Sequence, residues 1–394
     1  MNKTLVISRE KGLDSASLIE DGRLTEFLSR DSSSSPQVGN IYLGRIANIV
    51  PALNSAFVEI GDKRTAMLPF TEIPDSVLNG QRLHAGMEFA VQVTKLPGGD
   101  KGVLVSANLK LPGKHCVLLP YTDNAGVSKK ITDEAERIRL RELALKLKPL
   151  STGIILRTSA AESDEEELGR DIHDAFEYWN SLSARIAHIK APKLLHDESD
   201  VVLRAVRDFL DDETDQVFVT GEGMLDTVTD TAARLCPGYL TKIVNYDFDI
   251  SPFTLYRITS QFETAKARKV FLESGGFLIF DKTEALTVID VNSGKDTRSA
   301  SIADTAYMTN MEAAEEIVRQ IRLRDIGGIV IIDFIDMDTK QRKEELVQHL
   351  RACFKTDRAK VNVVGMTGLG LVELTRKKRN DGSKVFPSTE QTHD

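Results

Sequence analysis

The fold is decided by two stretches of sequence, LTVIDVNSG at residues 286–294 and IVIIDFIDM at residues 329–337. Each is a run of apolar, largely β-branched residues ending in aspartate, which indicates a buried strand with a carboxylate at its carboxyl end. Residues 310–324 between them have helical spacing. A strand, a crossover helix and a second strand form a βαβ unit with parallel strands. We therefore predict that Asp290 and Asp333 emerge at the same edge of an α/β sheet.

Two carboxylates this close repel each other unless a cation lies between them. Magnesium prefers oxygen ligands and activates water for attack on a phosphodiester, so the pair predicts a magnesium site, with manganese as a substitute. Asn292 would point to the same side as Asp290 and could hold the attacking water or a phosphate oxygen. Aspartates after strands also commonly cap turns and helices. Asp336 is a weaker candidate, because strand alternation turns it away from Asp333.

The composition limits the function classes. The chain has 394 residues, 41% hydrophobic residues and a formal net charge of −8, which suits roughly two to four globular domains. A nucleic acid would have to bind a local basic surface of so acidic a protein. The sequence has no apolar stretch long enough to span a membrane and no signal-peptide core, so we expect a soluble cytoplasmic protein without a membrane partner. Its cysteines, Cys116, Cys236 and Cys353, are far apart, and no zinc site is expected.

Strand and turn signals divide the rest of the chain. A hairpin is predicted at Asp21-Gly22, followed by a polar linker at 30–36. Five apolar runs within 40–109 predict a small closed barrel of the oligonucleotide-binding type. Further predictions are helices at 132–147, 163–185 and 341–354, strands within 276–291 and at 361–364, and, within 201–265, a helix with strand-like runs QVFVT and TLYRI.

Three segments carry a specific resemblance to a known family: LTVIDVNSGKDTRSA, TNMEAAEEIVRQIRLRDIGGIVIIDFIDM and GLGLVELTRKKR. They closely resemble the catalytic region of the ribonuclease E/G family. The similarity extends through IYLGRIANIVPALNSAFVEIG and ILRTSA, so that it covers residues 1–379. Members of this family are endoribonucleases that cut single-stranded, A/U-rich RNA with magnesium and leave a 5′-phosphate and a 3′-hydroxyl. The resemblance implies the same activity here, in ribosomal RNA maturation and messenger RNA turnover.

The resemblance also implies an α/β multidomain fold, in which an S1 (OB-type) β-barrel is inserted in a ribonuclease H-like scaffold. A 5′-sensor domain and a DNase I-like α/β catalytic domain complete it. The implied parts are the scaffold at 1–35 and 202–265, the S1 barrel at 36–108, the 5′-sensor domain at 109–201, the catalytic domain at 266–380 and a disordered tail at 381–394.

Site residues are implied position by position. Asp290 and Asp333 match the family's magnesium ligands, and Asn292 matches an asparagine that assists at the scissile phosphate. Without the family, Arg157 would be interpreted as part of a surface salt bridge and Phe57 as barrel core. The implied 5′-phosphate pocket contains Gly113, Val117, Lys129 (an arginine in the family), Arg157 and Thr158, and the implied RNA contacts are Phe57, Met67 (in place of an aromatic residue), Lys101 and Lys360.

The sequence departs from the family at its end. It lacks the C-P-x-C motif through which two family chains share a zinc ion, and it lacks the scaffold tail that recruits degradosome partners. We therefore expect no zinc and no degradosome scaffold, and a zinc-free homodimer stays open. Two functions remain: an endoribonuclease acting on ribosomal RNA precursors and messenger RNA, or a catalytically idle relative that binds RNA or regulates a full-length enzyme. The retained Asp290, Asn292 and Asp333 favour the enzyme, as do Arg157 and Thr158.

Overall fold

The computed structural model describes residues 2–10, 12–29, 36–96, 102–161, 163–198, 200–294 and 302–379. The tail at 381–394 and all of the predicted linker except Pro36 lie outside these residues. None of the described helices is long and apolar enough to cross a membrane.

The described strands are β1 (Lys3–Glu10), β2 (Leu13–Glu20), β3 (Arg23–Ser29), β4 (Ile41–Val50), β5 (Ser55–Glu59), β6 (Ala66–Pro69), β7 (Glu88–Lys95), β8 (Leu104–Ser106), β9 (Leu111–Pro112), β10 (Cys116–Leu119), β11 (Ala125–Val127), β12 (Gly153–Leu156), β13 (Lys193–His196), β14 (Gln216–Thr220), β15 (Ile243–Asn245), β16 (Lys269–Phe271), β17 (Phe277–Lys282), β18 (Leu286–Asn292), β19 (Gly328–Asp333), β20 (Val361–Met366) and β21 (Val372–Arg376). The described α-helices are α1 (Asp75–Leu78), α2 (Glu134–Leu147), α3 (Glu165–Ile186), α4 (Val201–Phe209), α5 (Met224–Leu235), α6 (Pro252–Leu255), α7 (Ile258–Lys266), α8 (Ile302–Leu323) and α9 (Lys340–Cys353).

Strands β4 to β8 form the closed barrel that the sequence predicts. Their order is β4-β5-β6-β8-β7, and β7 pairs back to β4, which closes the barrel. Side chains alternate between the inside and the outside along each strand, as closure requires. Ala56, Val58, Ala66 and Leu68 point inward and are fully buried. Outside the ring, β13 pairs with β4 as an additional strand.

A second sheet joins two distant parts of the chain. Its order is β15-β14-β1-β2-β3, with β1 to β3 antiparallel and β14 and β15 parallel to β1. The hairpin between β2 and β3 turns at Asp21 and Gly22, which have φ angles of 49° and 77°. Such positive φ angles at both central residues define the predicted turn. Residues 4–8 pair with 216–220, so the two segments assigned to one scaffold share a sheet.

One prediction in this region is wrong. The run TLYRI at residues 254–258 forms no strand, since it contains the end of α6 and the first residue of α7. Ser251 accepts a hydrogen bond from the backbone N–H of Phe253 and caps α6, and Pro252 is its first residue. A capping serine followed by proline is a helix-start signal, and here it outweighs the β-like composition of the run.

The third sheet has the order β11-β12-β10-β9 and packs against α2 and α3. Both helices begin where the sequence predicts. Asp133 caps α2 and Asp164 caps α3, each by accepting a backbone N–H three residues later. Ile41 and Leu43 of the barrel contribute to the same hydrophobic core, which joins the barrel to this sheet.

The fourth sheet contains the predicted βαβ unit. Its order is β16-β17-β18-β19-β21-β20, and β18 and β19 are parallel neighbours, as predicted. The sequence did not reveal β21, which lies antiparallel between β19 and β20. Helix α8 begins at Ile302, before the predicted residue 310, although threonine and aspartate weaken helix propensity there. Burial of Ala306, Thr309 and Asn310 shows that packing holds this part of the helix.

Helix α8 also fixes the fourth sheet against the second. One side of α8 buries Ala313, Ile317 and Ile321 against the fourth sheet. On the other side, the Arg319 guanidinium donates to the Leu24 carbonyl oxygen at 2.8 Å. Arg322 forms ion pairs with Glu20 at 3.3 Å and with Glu26 at 3.4 Å. The βαβ unit is therefore bound to the β1–β3 hairpins by both apolar and ionic contacts.

Candidate active site

Asp290 and Asp333 lie side by side at the carboxyl ends of β18 and β19. They are register partners in this parallel pair, so one strand spacing, about 4.8 Å, separates their backbones. The residues before them, Ile289 and Ile332, are fully buried, whereas both aspartates are exposed. Strand alternation therefore directs the apolar side chains into the core and both carboxylates to the other face of the sheet.

We call this other face of the fourth sheet the open face. Its side chains alternate with the buried ones along each strand, and the strand register places them in rows. The side chains on the open face include Lys269, Phe271, Phe277, Ile279, Asp281, Asp290, Asn292, Asp333 and Glu373.

Asn292 lies on the open face two residues after Asp290. Its Nδ2 donates a hydrogen bond to Oδ2 of Asp290 at 2.8 Å. The bond fixes the orientation of the Asp290 carboxylate and uses an N–H donor of the amide. The amide oxygen of Asn292 remains an acceptor, able to receive a proton of a bound water. The asparagine and the two aspartates thus form one polar cluster.

The donor set fits magnesium. That ion binds through one or two carboxylates and completes its octahedron with waters and substrate phosphates. Asp290 and Asp333 provide two carboxylates, and none of the described residues forms a cluster of three or more His, Cys, Asp or Glu able to hold a metal. Glu373 on β21 lies opposite Ile331 and diagonal to Asp333. Diagonal partners of this kind are about 7–8 Å apart, which is the expected separation of Glu373 from Asp333. Sequence analysis gave Glu373 no role and did not predict its strand.

The loop after Asp333 is held by a buried asparagine that sequence analysis did not single out. Asn310 of α8 is fully buried, and its Nδ2 donates to the Ile335 carbonyl oxygen at 2.7 Å. The Ile335 backbone N–H donates in return to Oδ1 of Asn310 at 3.0 Å. These reciprocal bonds fix the backbone two residues beyond Asp333. Asn310 is therefore a positioning residue for that carboxylate.

Replacement of Asn310 by alanine tests this position. We expect the free energy of unfolding to fall by about 1–3 kcal/mol, because two backbone groups of Ile335 lose their partners. If the chain cuts RNA with magnesium, as the family resemblance implies, the magnesium concentration for half-maximal cleavage should also rise at temperatures far below unfolding. Thr309→Val is the control, since its buried hydroxyl has no hydrogen-bond partner among the described residues. Unchanged magnesium dependence in the alanine variant would contradict the positioning role.

The residues implied for a 5′-phosphate pocket come together at the end of β12. Val117 of β10 lies opposite Ile155 of β12, and both side chains point away from the core. Arg157 and Thr158 directly follow β12, and Thr158 is exposed. Lys129 is exposed two residues after β11, whose Val127 is the register partner of Leu156.

Arg157 makes hydrogen bonds within the protein and is also partly exposed to solvent. Its Nη1 donates to the Gly113 carbonyl oxygen at 2.6 Å, and its Nη2 forms an ion pair with Asp208 at 3.1 Å. Burial raises the pKa of a carboxyl, but the guanidinium groups of Arg207 and Arg157 outweigh it and hold the pKa of Asp208 well below its usual range. The salt bridge that the sequence alone suggested for Arg157 is thus present, while 31% of its side chain stays exposed.

The backbone before β10 wraps around a buried carboxylate. Asp171 of α3 accepts the backbone N–H groups of Lys114, His115 and Cys116 at 2.8–2.9 Å. Gly113 lies so near that a Cβ there would be 2.8 Å from both Asp171 carboxylate oxygens. A side chain at this position would displace the Asp171 carboxylate from its backbone N–H donors. Gly113 therefore lies against Asp171 on one side and accepts a hydrogen bond from Arg157 through its carbonyl oxygen.

On the barrel, Phe57 and Met67 are register neighbours on β5 and β6. Both are half-buried on the outside of the barrel, while the flanking Ala56 and Val58 are fully buried inside. Phe57 is therefore not the core residue that the sequence alone allowed. Lys101 lies outside the described residues.

Lys360 lies at the junction between the third and fourth sheets, directly before β20. Lys130 donates its ammonium protons to the carbonyl oxygens of Asp357, Arg358 and Ala359 at 3.3, 2.8 and 2.7 Å. Lys360 follows directly and is exposed. The junction thus places Lys360 on the same side of the molecule as the residues after β11.

The fold and the site define a class of protein: a mixed α/β protein with a closed five-stranded barrel, consistent with the oligonucleotide-binding type, and two in-register aspartates suited to a divalent cation. The model of the Ribonuclease E/G family matches residues 110–379. Ribonuclease E of Synechocystis sp. is 37% identical over 360 residues, which cover 88% of this chain and 53% of that protein. The chain belongs to the ribonuclease E/G family.

Other relatives agree with this assignment. Ribonuclease E of Escherichia coli (strain K12) is 33% identical over 392 residues, covering 96% of this chain and 37% of that protein. Ribonuclease G of Salmonella typhimurium is 32% identical over 377 residues, covering 92% of this chain and 77% of that protein. The chain spans about half the length of several of these curated relatives, with 53% and 57% of two cyanobacterial ribonucleases E covered.

Proposed function

We propose that the chain is a magnesium-dependent endoribonuclease that cuts single-stranded, A/U-rich RNA and leaves a 5′-phosphate and a 3′-hydroxyl. The in-register pair of Asp290 and Asp333 on the open face, with Asn292 bonded to Asp290, carries the proposal. Membership of a family whose relatives are named ribonuclease E and ribonuclease G supports it. The same proposal places the enzyme in the cytoplasm, where it would act on ribosomal RNA precursors and messenger RNA either as a single chain or as a homodimer.

Each residue of the cluster has a distinct task. Asp290 and Asp333 would hold the ion through their carboxylates, one from each parallel strand. The ion, when bound, polarises the phosphodiester and makes a water nucleophilic at neutral pH. Asn292 restricts the Asp290 carboxylate to one orientation, and its amide oxygen accepts a proton of the attacking water. Asn310 holds the loop after Asp333 so that the two carboxylates keep their spacing.

The experiment is cleavage of a short, A/U-rich, single-stranded RNA that bears a 5′-monophosphate, with and without magnesium. Internal cutting that requires magnesium, or manganese in its place, supports the proposal. Tight RNA binding without cutting, over a range of protein concentrations and with both ions, would instead favour the catalytically idle RNA-binding or regulatory protein.

We further propose that Arg157, Thr158, Gly113, Val117 and Lys129 recognise the 5′-monophosphate of the substrate. A guanidinium and a hydroxyl suit phosphate oxygens. The partial exposure of Arg157 and the exposed Thr158 beside it support this assignment. On the barrel, Phe57 and Met67 would contact bases of the single strand, while Lys101 and Lys360 would contact its phosphates.

Arg157→Ala tests the pocket. We expect the ratio of kcat/KM for 5′-monophosphorylated over 5′-hydroxyl RNA to fall by about tenfold, because a charge-assisted hydrogen bond to phosphate is lost. Folding should persist, since Arg207 still pairs with Asp208 at 3.0 Å. Arg141→Ala, an exposed arginine on α2, is the control. If the unaltered protein shows no preference for the monophosphate, the pocket assignment fails.

A further inference from the structure

Two phenylalanines form an exposed pair at the edge of the fourth sheet. Phe271 lies on the edge strand β16 and 68% of it is exposed, while Phe277 on β17 is half-buried. Their ring centroids are 6.2 Å apart at an interplanar angle of 61°. The ammonium of Lys269 lies 3.7 Å from the Phe277 ring centroid and 4.6 Å from that of Phe271. Together Phe271, Phe277 and Lys269 make a platform of aromatic surface and positive charge, which we call the edge platform.

The strand register connects the edge platform to the candidate active site. Phe271 is the partner of Phe277, and Phe277 is the partner of Asn292, so the three side chains form one row on the open face. Strands lie about 4.8 Å apart, which places the backbones of Phe277 and Phe271 one and two strand spacings from that of Asn292. The edge platform and the polar cluster therefore share one continuous surface.

Core packing does not account for the edge platform. Side chains that alternate with its members, such as Val270 and Leu278, are buried against the helices on the opposite face. Phe271 points away from that core and leaves most of its ring in water. Single exposed apolar residues are ordinary, but an aromatic pair with a cation in line with a polar cluster has the composition of a single-strand binding surface.

We propose that the edge platform binds a nucleobase of the RNA strand next to the scissile phosphate, an inference that rests on the proposed endoribonuclease function. The base stacks on the exposed ring of Phe271, which accepts any base because every base has a π-face. Lys269 supplies positive charge for the adjoining phosphate. The RNA strand would then run from the polar cluster across β17 to β16.

A second copy of this chain is the alternative occupant of the edge platform. Stable protein–protein interfaces bury about 800 Å² on each partner, whereas the edge platform offers two rings and one aliphatic stem. Continuity with Asn292 and the charge of Lys269 favour RNA over a protein surface.

The test compares Phe271→Ala with Phe248→Ala, because 68% of each phenylalanine is exposed and both are members of aromatic pairs. Phe248 follows β15 in the second sheet, outside the open face. We expect kcat/KM for A/U-rich RNA to fall about tenfold in Phe271→Ala and to stay within about twofold in the control. In an Asp333→Asn background, the RNA dissociation constant should rise by a similar factor, and Phe271→Trp should restore binding.

Abasic substitutions locate the stacked base. RNA that lacks the base at one particular position should bind the unaltered protein more weakly than the intact RNA does. The Phe271→Ala variant should bind these two RNAs with equal affinity. If the unaltered protein cleaves RNA and the two alanine variants have equal kcat/KM and equal RNA affinity, the proposed role of the edge platform is wrong. The proposed endoribonuclease function would still stand. A change in oligomeric mass that accompanies the Phe271→Ala loss would identify a contact between copies and also overturn it. Absence of cleavage by the unaltered protein would count against the proposed function, while the binding comparison would still test the platform.

Discussion

Replacing Asp333 by asparagine is expected to abolish RNA cleavage while RNA binding persists. The substitution keeps the shape of the side chain but removes one of the two charges that face each other across β18 and β19. Loss of the metal's contribution, several kcal/mol of transition-state stabilisation, corresponds to about a thousandfold or more in rate. Single-turnover cleavage of 5′-monophosphorylated RNA measures the rate, and filter binding or fluorescence anisotropy of the same RNA measures affinity.

Asp281→Asn is the matched control. Asp281 lies on the open face two strands from Asp333, has 49% of its side chain exposed, and pairs with Arg268 at 2.5 Å. An exposed ion pair contributes little to stability, and neutralising Asp281 removes one negative charge from the same face. Cleavage should therefore persist in the control and disappear in Asp333→Asn. Equal cleavage by both variants would remove Asp333 from the metal site and with it the main support for the proposed chemistry.

The parts of this site that lie within one strand could be predicted from the sequence. An apolar, β-branched run that ends in aspartate predicts that Ile289 is buried and that Asp290 is exposed, as the structure has them. A helix between two such runs favours parallel strands, which are often neighbours, and β18 and β19 are such a pair. Asn292 is found by simple alternation, and its bond to Asp290 agrees with that expectation.

Contacts between distant residues left no local signal. The bonds between Asn310 and Ile335 span 25 residues, and those between Asp171 and the backbone of 114–116 span 55 to 57. Nothing near Arg157 in sequence shows that Asp208, 51 residues later, is its buried partner. Strand β21 was missed for the same reason, because its place between β19 and β20 is set by pairing with residues far along the chain.

Arg376 on β21 shows how strongly such distant contacts support the site. Its Nη1 donates to Asp325 Oδ1 at 2.8 Å and its Nε to Asp357 Oδ2 at 2.7 Å, with the side chains of Arg376 and Asp357 almost fully buried. Burial disfavours the charge of Arg376, but its hydrogen bonds and attraction to Asp357 and Asp325 outweigh this and raise its pKa. The cluster joins β21 to the turn before β19 and to the segment that Lys130 binds.

We therefore expect Arg376→Met to lower the free energy of unfolding by about 3–5 kcal/mol, because it removes the guanidinium that is hydrogen-bonded to the buried Asp357 carboxylate. Chemical denaturation monitored by circular dichroism measures the loss. Adding Asp357→Asn to Arg376→Met should restore part of the stability, since the uncompensated charge is then removed rather than left buried. Arg268→Met, in which an exposed partner of Asp281 is lost, should unfold like the unaltered protein. If Arg376→Met also does so, the buried cluster does not hold β21 beside the strand that carries Asp333.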